Sequence, residues 1–149
     1  MELEDAIRQS EFRSDNHKAV LNLLHTTAFL SSVISTITTR VGITRQQFNV
    51  LRILRGQYPK AASINLIRER MLERMPDSSR MVDRLAAKGL ISKSSCPHDR
   101  RAAEVTITDK GLQLLEQLDP AVHSADNFLG RLTGEEVGIL NRLLDKIRA

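Results

Sequence analysis

The chain has 149 residues, the length of one ordinary domain. Hydrophobic residues make up 41 % and charged residues 27 %, a globular composition that excludes intrinsic disorder. A single cysteine, Cys96, excludes an intrachain disulfide framework and fits a reducing cytoplasm.

The net charge of +4 is unevenly spread. Ten basic residues and five acids lie between Lys60 and Arg101, so that stretch is net +5 and the remainder −1. Such a block is either a solvated face or a polyanion-binding module between two neutral arms. The most apolar stretch, Ala28 to Ile37, is broken by Ser31, Ser32, Ser35 and Thr36, too short and polar for a bilayer span. The acidic start, Met1 to Asp5, lacks a signal pattern, so a cytoplasmic protein without membrane contact is expected. Four Phe, one Tyr and no Trp leave little stacking surface for single-stranded nucleic acid.

The first long element runs from about Asp15 to Arg40, with apolar residues at helical spacing from Val20 to Val41 and a stop at Gly42. It is longer than a small core needs, and a second subunit is the simplest cover for the excess. The next helix opens with a capping box, Thr44 and Gln47, and a hydrophobic staple, Ile43 and Phe48, and ends near Gly56. Ser63 caps a short helix carrying Ile64, Leu66, Ile67 and Met71. Pro76 marks the start of another, which closes at Gly89. Met81, Val82 and Leu85 form its apolar side, while Asp77, Ser79, Arg80, Asp83, Arg84 and Ala87 form the other.

After Gly89 the period changes to two. Leu90–Ser94 and Glu104–Thr108 read as paired strands around a basic loop, Ser95–Arg101. Thr108 caps a long helix that Pro120 kinks or divides. Thr133 and Glu136 form a second capping box, with Leu132 and Val137 as staple, for a final helix. Two short helices, a polar-faced helix and a basic hairpin make a winged helix-turn-helix, whose third helix suits a major groove. The fold class is therefore mainly α with a small β-hairpin wing.

Two runs carry a family resemblance. Met81-Val82-Asp83-Arg84-Leu85-Ala86-Ala87-Lys88-Gly89-Leu90-Ile91 resembles the recognition helix and turn of the MarR family of bacterial transcription regulators. Asp99-Arg100-Arg101 through Thr108-Asp109-Lys110-Gly111 resembles that family's wing, in which Asp-x-Arg precedes a strand and a Thr-x-x-Gly helix start. The resemblance implies one domain over 1–149, with dimerisation helices over about 1–42 and 110–149 and a DNA-binding core over about 43–109. It further implies a homodimer on a pseudo-palindromic duplex, most often acting as a repressor.

On that resemblance Arg101 enters the minor groove, and Asp99 holds it or a neighbouring arginine, unless Asp99 is a plain turn residue. Asp77, Ser79 and Arg80 are the expected base contacts. Arg84 faces phosphate or pairs with Asp99. Lys60, Ser63 and Asn65 are phosphate candidates, with a solvated surface the alternative. Ser78, Lys93, His98 and Arg100 complete the DNA-binding set. Family members usually carry an aliphatic residue where Ser78 stands, on the inner side of the recognition helix, and a hydroxyl there must find a backbone partner or be solvated.

The family's effectors are small aromatic or phenolic molecules. Their pocket falls here on His25, Phe29, Phe48 and Arg52, although both phenylalanines also fit an ordinary core. Cys96 reads as an incidental surface thiol. Cys96 and His98 are too few for a metal site, so no metal or cofactor is expected. No catalytic constellation is visible, which argues against an enzyme. The alternative is a winged-helix adaptor for other proteins without sequence-specific DNA binding, against which Arg80 and Arg84 speak.

Overall fold

A computed structural model describes residues 1–96 and 99–149, with Cys96 and residues 99–102 described through their backbone alone. Helix α1 (Leu3–Ile7) precedes α2 (Asp15–Thr39). Ser14 starts α2 where expected: its Oγ accepts from the His17 amide at 3.1 Å. An ion pair between Glu4 and Lys18 ties α1 to α2, holding the carboxyl below its ordinary range and the ammonium above its own.

The 25 residues of α2 include an 18-residue window of mean hydropathy 1.4. By length and composition α2 is apolar enough to cross a membrane, contrary to the expectation drawn from Ala28–Ile37 alone. The serines and threonines count for less than their number suggests. Thr36 and Thr39 donate to the carbonyls of Ser32 and Ser35 at 3.0 and 2.7 Å, which hides their polarity inside the helix. The C-terminal part of α2 packs on the core through Ile34, Ile37 and the fully buried Thr38.

Helix α3 (Arg45–Gln57) has the expected capping box, and the staple residues Ile43 and Phe48 are both buried. The two-residue strand β1 (Ala62–Ser63) leads into α4 (Ile64–Arg70), where Ser63 Oγ accepts from the Leu66 amide at 3.1 Å. Helix α5 (Ser78–Ala87) begins two residues later than Pro76 suggests, because Asp77 takes the cap position and accepts from the Arg80 amide.

The end of α5 is a Schellman motif. Leu90 N–H donates to Leu85 C=O at 3.1 Å, and Gly89 N–H to Ala86 C=O at 2.9 Å. Gly89 has φ +72°, which glycine adopts without strain, and the flanking Leu85 and Leu90 are both buried.

Strands β2 (Ile91–Cys96) and β3 (Asp99–Ile107) form the antiparallel hairpin, paired from Ile91↔Ile107 to Ser95↔Ala103 with an irregularity beyond. Both extend further into the predicted loop than the alternation suggests. β1 adds to the other side of β3, giving the order β1-β3-β2. Two residues are too few to show a period, and so β1 is absent from the sequence reading.

Helix α6 (Asp109–Asp126) runs on through Pro120 undivided. A short 3₁₀ turn, Asn127–Leu129, separates it from α7 (Gly134–Arg148), which opens with the Thr133–Glu136 capping box. The core joins α3, α4, α5, the sheet and α6 through Leu51, Leu54, Ile67, Leu85, Val105 and Leu115. None of α7 is buried: Leu143 and Ile147 stand exposed, as do Val20, Leu23 and Leu24 on α2.

Candidate nucleic-acid interface

The outer face of α5 is polar because its inner face is spent on the core. Val82 and Leu85 point inward, while Ser79, Arg80, Asp83, Arg84 and Ala87 are exposed. Asp77 holds the start of this face. Its Oδ1 accepts from the Arg80 amide, and its Oδ2 lies 3.2 Å from Arg80 Nε. The Arg80 side chain is still 72 % exposed, so its guanidinium edge remains available to a ligand.

Ser78 differs from its place among the DNA-binding candidates. It is buried, and its Oγ accepts from Arg68 Nη2 of α4 at 3.4 Å. Arg68 supplies the partner that an inward hydroxyl requires, which removes Ser78 from the outer face. The turn of the helix is fixed by Val82 and Leu85 rather than by an aliphatic residue at position 78.

Lys93 on β2 extends toward α5 and meets Asp83 at 2.8 Å, bracing the hairpin against the helix. Lys60, Ser63 and Asn65 are exposed at the entry to α4, with Ser63 already engaged as its cap. Arg70 at the end of α4 and Arg74 beyond it are further exposed cations within the run of positive charge between Lys60 and Arg101. His98 lies outside the described residues. So do the side chains of Cys96, Asp99, Arg100 and Arg101, and the expected Arg84–Asp99 pair with them.

A cavity of about 400 Å³ lies between α2, α3 and the segment that follows α4. Its wall is mainly apolar, with Leu30, Ile34, Phe48 and Met71, and it carries two arginines, Arg45 and Arg52. Of the four expected pocket residues, Phe48 and Arg52 line it. His25 and Phe29 do not: His25 precedes the lining stretch, and Phe29, between the lining residues Thr27 and Leu30, packs instead on Phe128 with ring centroids 5.0 Å apart. Phe48 also serves the core, as its staple position requires. Among the described residues no group of three metal-ligating side chains comes together.

The MarR family profile matches residues 41–102, from the end of α2 to the second strand of the hairpin. The MarR transcription factor of Planctomyces limnophilus is 33 % identical, over 91 % of this chain and 98 % of that one, with a TM-score of 0.71. The chain belongs to the MarR family. Two further MarR-like structures are 26 % identical to it. One is a mutant MarR from E. coli complexed with operator DNA, matched over 85 % of this chain and 91 % of that one at TM-score 0.73. The other is Bordetella bronchiseptica BpsR, whose DNA binding is regulated by 6-hydroxynicotinic acid, matched over 86 % and 99 % at TM-score 0.70. The likeness to these MarR structures extends well beyond the winged core, since it takes in at least 85 % of this chain.

Proposed function

We propose that the chain is a cytoplasmic, homodimeric transcription repressor that binds a pseudo-palindromic operator and is released by a small molecule. The observation that carries this reading is the outer face of α5. Ser79, Arg80 and Arg84 stand exposed on a helix braced from behind by Arg68 and from the side by Lys93. Arg80 and Ser79 read base edges, Lys60 and Asn65 meet phosphate, and the wing residues Arg100 and Arg101 reach the backbone or minor groove.

The dimer is supported by the uncovered apolar side chains of α2 and α7, which a second copy would bury. Release is supported by the cavity, whose volume and apolar wall suit a small effector. The test is selection from a random duplex library at physiological salt. An enriched inverted repeat, with half-sites about one helical turn apart, is the expected result. Binding without enrichment that vanishes as salt rises would overturn it and favour a protein-binding adaptor.

A further inference from the structure

One carboxylate holds both ends of Arg80. Asp77 Oδ1 accepts from the Arg80 amide at 3.3 Å, and Oδ2 lies 3.2 Å from Nε of the same residue. The first turn of α5, which carries the pair, is itself held in place. Met81 N–H donates to Asp77 C=O at 3.2 Å, and the buried Ser78 meets Arg68 of α4. Among the described residues no other side chain engages the Arg80 guanidinium. Its two Nη groups therefore end the side chain as an open fork, on a residue 72 % exposed. A carboxylate is out of place on a surface that meets phosphate, because like charges repel. Capping alone does not require it, since asparagine caps a helix as well as aspartate does. The second oxygen of Asp77 and its charge are spent on Arg80.

We propose that Asp77 is a specificity-determining residue that acts through Arg80, and that the base it selects is guanine. This rests on the DNA-binding reading given above and names the base at the contact. With Nε turned to Asp77, the guanidinium meets a base edge end-on, through Nη1 and Nη2. Two parallel donors need two acceptors side by side. In the major groove guanine alone offers them, at O6 and N7. Adenine sets an amino donor beside its N7, cytosine presents an amino donor, and thymine has one acceptor next to a methyl group. An unheld arginine loses rotamer freedom on docking and can turn to a phosphate, which accepts the same fork. Asp77 limits that freedom beforehand and keeps the fork on the base. The ion pair is exposed and adds little to stability, so its effect falls on recognition and not on folding.

The experiment compares wild type, Asp77→Asn, Arg80→Lys and Arg80→Ala by fluorescence anisotropy, on the operator enriched from the random library and on its single-base variants. The base pair at which Arg80→Ala loses preference marks the contact, and it should be G·C. Wild type should bind that operator about ten- to a hundredfold more tightly than one with A·T at the same place. Asp77→Asn keeps the capping oxygen and puts an amide donor where Oδ2 stood, facing Nε. Its preference at the contact pair should fall to about threefold or less. Thermal unfolding and preference at the other pairs should stay as in the wild type, and affinity for scrambled duplex should not fall. Arg80→Lys keeps the charge without the fork and should lose the same preference. Full preference in Asp77→Asn would overturn the proposal, as would a contact pair other than G·C. Equal loss of affinity on every duplex in Asp77→Asn would assign Asp77 to the fold alone and overturn it too. If the wild type enriches no operator, the DNA-binding reading falls first and the choice of guanine falls with it.

Discussion

Thr108 donates its hydroxyl to the Gly89 carbonyl at 2.7 Å. The same oxygen accepts from the Gly111 amide at 3.1 Å, and the Thr108 amide donates to Leu90 C=O at 3.1 Å. One side chain thus closes the end of α5 and opens α6, fixing the angle between the polar-faced helix and the long helix behind it. The Thr-x-x-Gly pattern of the wing signature has this physical content.

Thr108→Val keeps the shape and removes both hydroxyl bonds. It should cost about 1–2 kcal/mol of stability, the value of an N-cap together with a shared hydrogen bond. Urea unfolding followed by circular dichroism measures it. A change within error would mean that water replaces the hydroxyl without loss.

Gly111 is required by proximity rather than by dihedral angle. A Cβ there would lie 2.3 Å from the Leu90 carbonyl oxygen and 2.7 Å from Ile107 Cγ1. Gly111→Ala should therefore cost about 3 kcal/mol or more, because the nearest obstruction is a backbone carbonyl. Gly134→Ala meets nothing within 4 Å in the first turn of α7 and should gain about 0.5–1 kcal/mol from reduced freedom of the unfolded chain. Thermal unfolding of the pair should move in opposite directions, by roughly 3 °C per kcal/mol.

The features legible in the sequence are those set by near neighbours. Thr44 with Gln47, Thr133 with Glu136, Ser63 and Gly89 each act within three or four residues, and each stands where the pattern puts it. The features that were not legible depend on residues far apart in the chain. The partner of the inward Ser78 is Arg68 of another helix, and Arg45 reaches Glu73 across 28 positions. Arg55 and Asp119, 64 positions apart, form a pair at 2.8 Å that joins α3 to α6. His25 and Phe29 fall outside the cavity that Phe48 and Arg52 line for a related reason. A helical period shows that Phe29 and Leu30 share a turn of α2, but which face of that turn meets the cavity is a tertiary fact.

The capping box of α7 makes a pH prediction. The Thr133 amide and hydroxyl both donate to the Glu136 carboxylate, holding its pKa below the ordinary carboxylate range. The unfolded chain therefore takes up the proton first as pH falls. The contribution of Glu136 is present above the ordinary carboxylate pKa and is lost as pH drops through the lowered folded value. Glu136→Gln should flatten the decline in stability from neutral toward acid pH, followed by thermal unfolding across that range. An identical acid limb in the variant would show that the box does not hold in solution.

Arg80 and Lys60 separate reading from attraction. Arg80→Ala should cost about 1–3 kcal/mol on the operator and relax preference at one base pair of each half-site. Lys60→Ala should weaken specific and scrambled duplexes alike and reduce the salt slope by about 0.9 for one phosphate contact. Anisotropy titrations at several salt concentrations resolve the two patterns. Equal behaviour of both variants on both duplexes would show that the exposed face of α5 attracts DNA without reading it.

The uncovered side chains of α2 and α7 link oligomeric state to operator affinity. Ile147 is 67 % exposed and Leu143 53 %, and Leu24 on α2 is 61 % exposed, open to water among the described residues. If a second copy covers them, Leu143→Asp places a charge in that apolar contact and should drive the protein to monomer in sedimentation velocity. The fold of each subunit should persist, because Leu143 lies outside the core. Operator affinity should then fall steeply, since a monomer engages one half-site and loses the gain from linking two. A variant that stays dimeric, or a monomer that binds a full operator as tightly as the wild type, would place the dimer contact elsewhere.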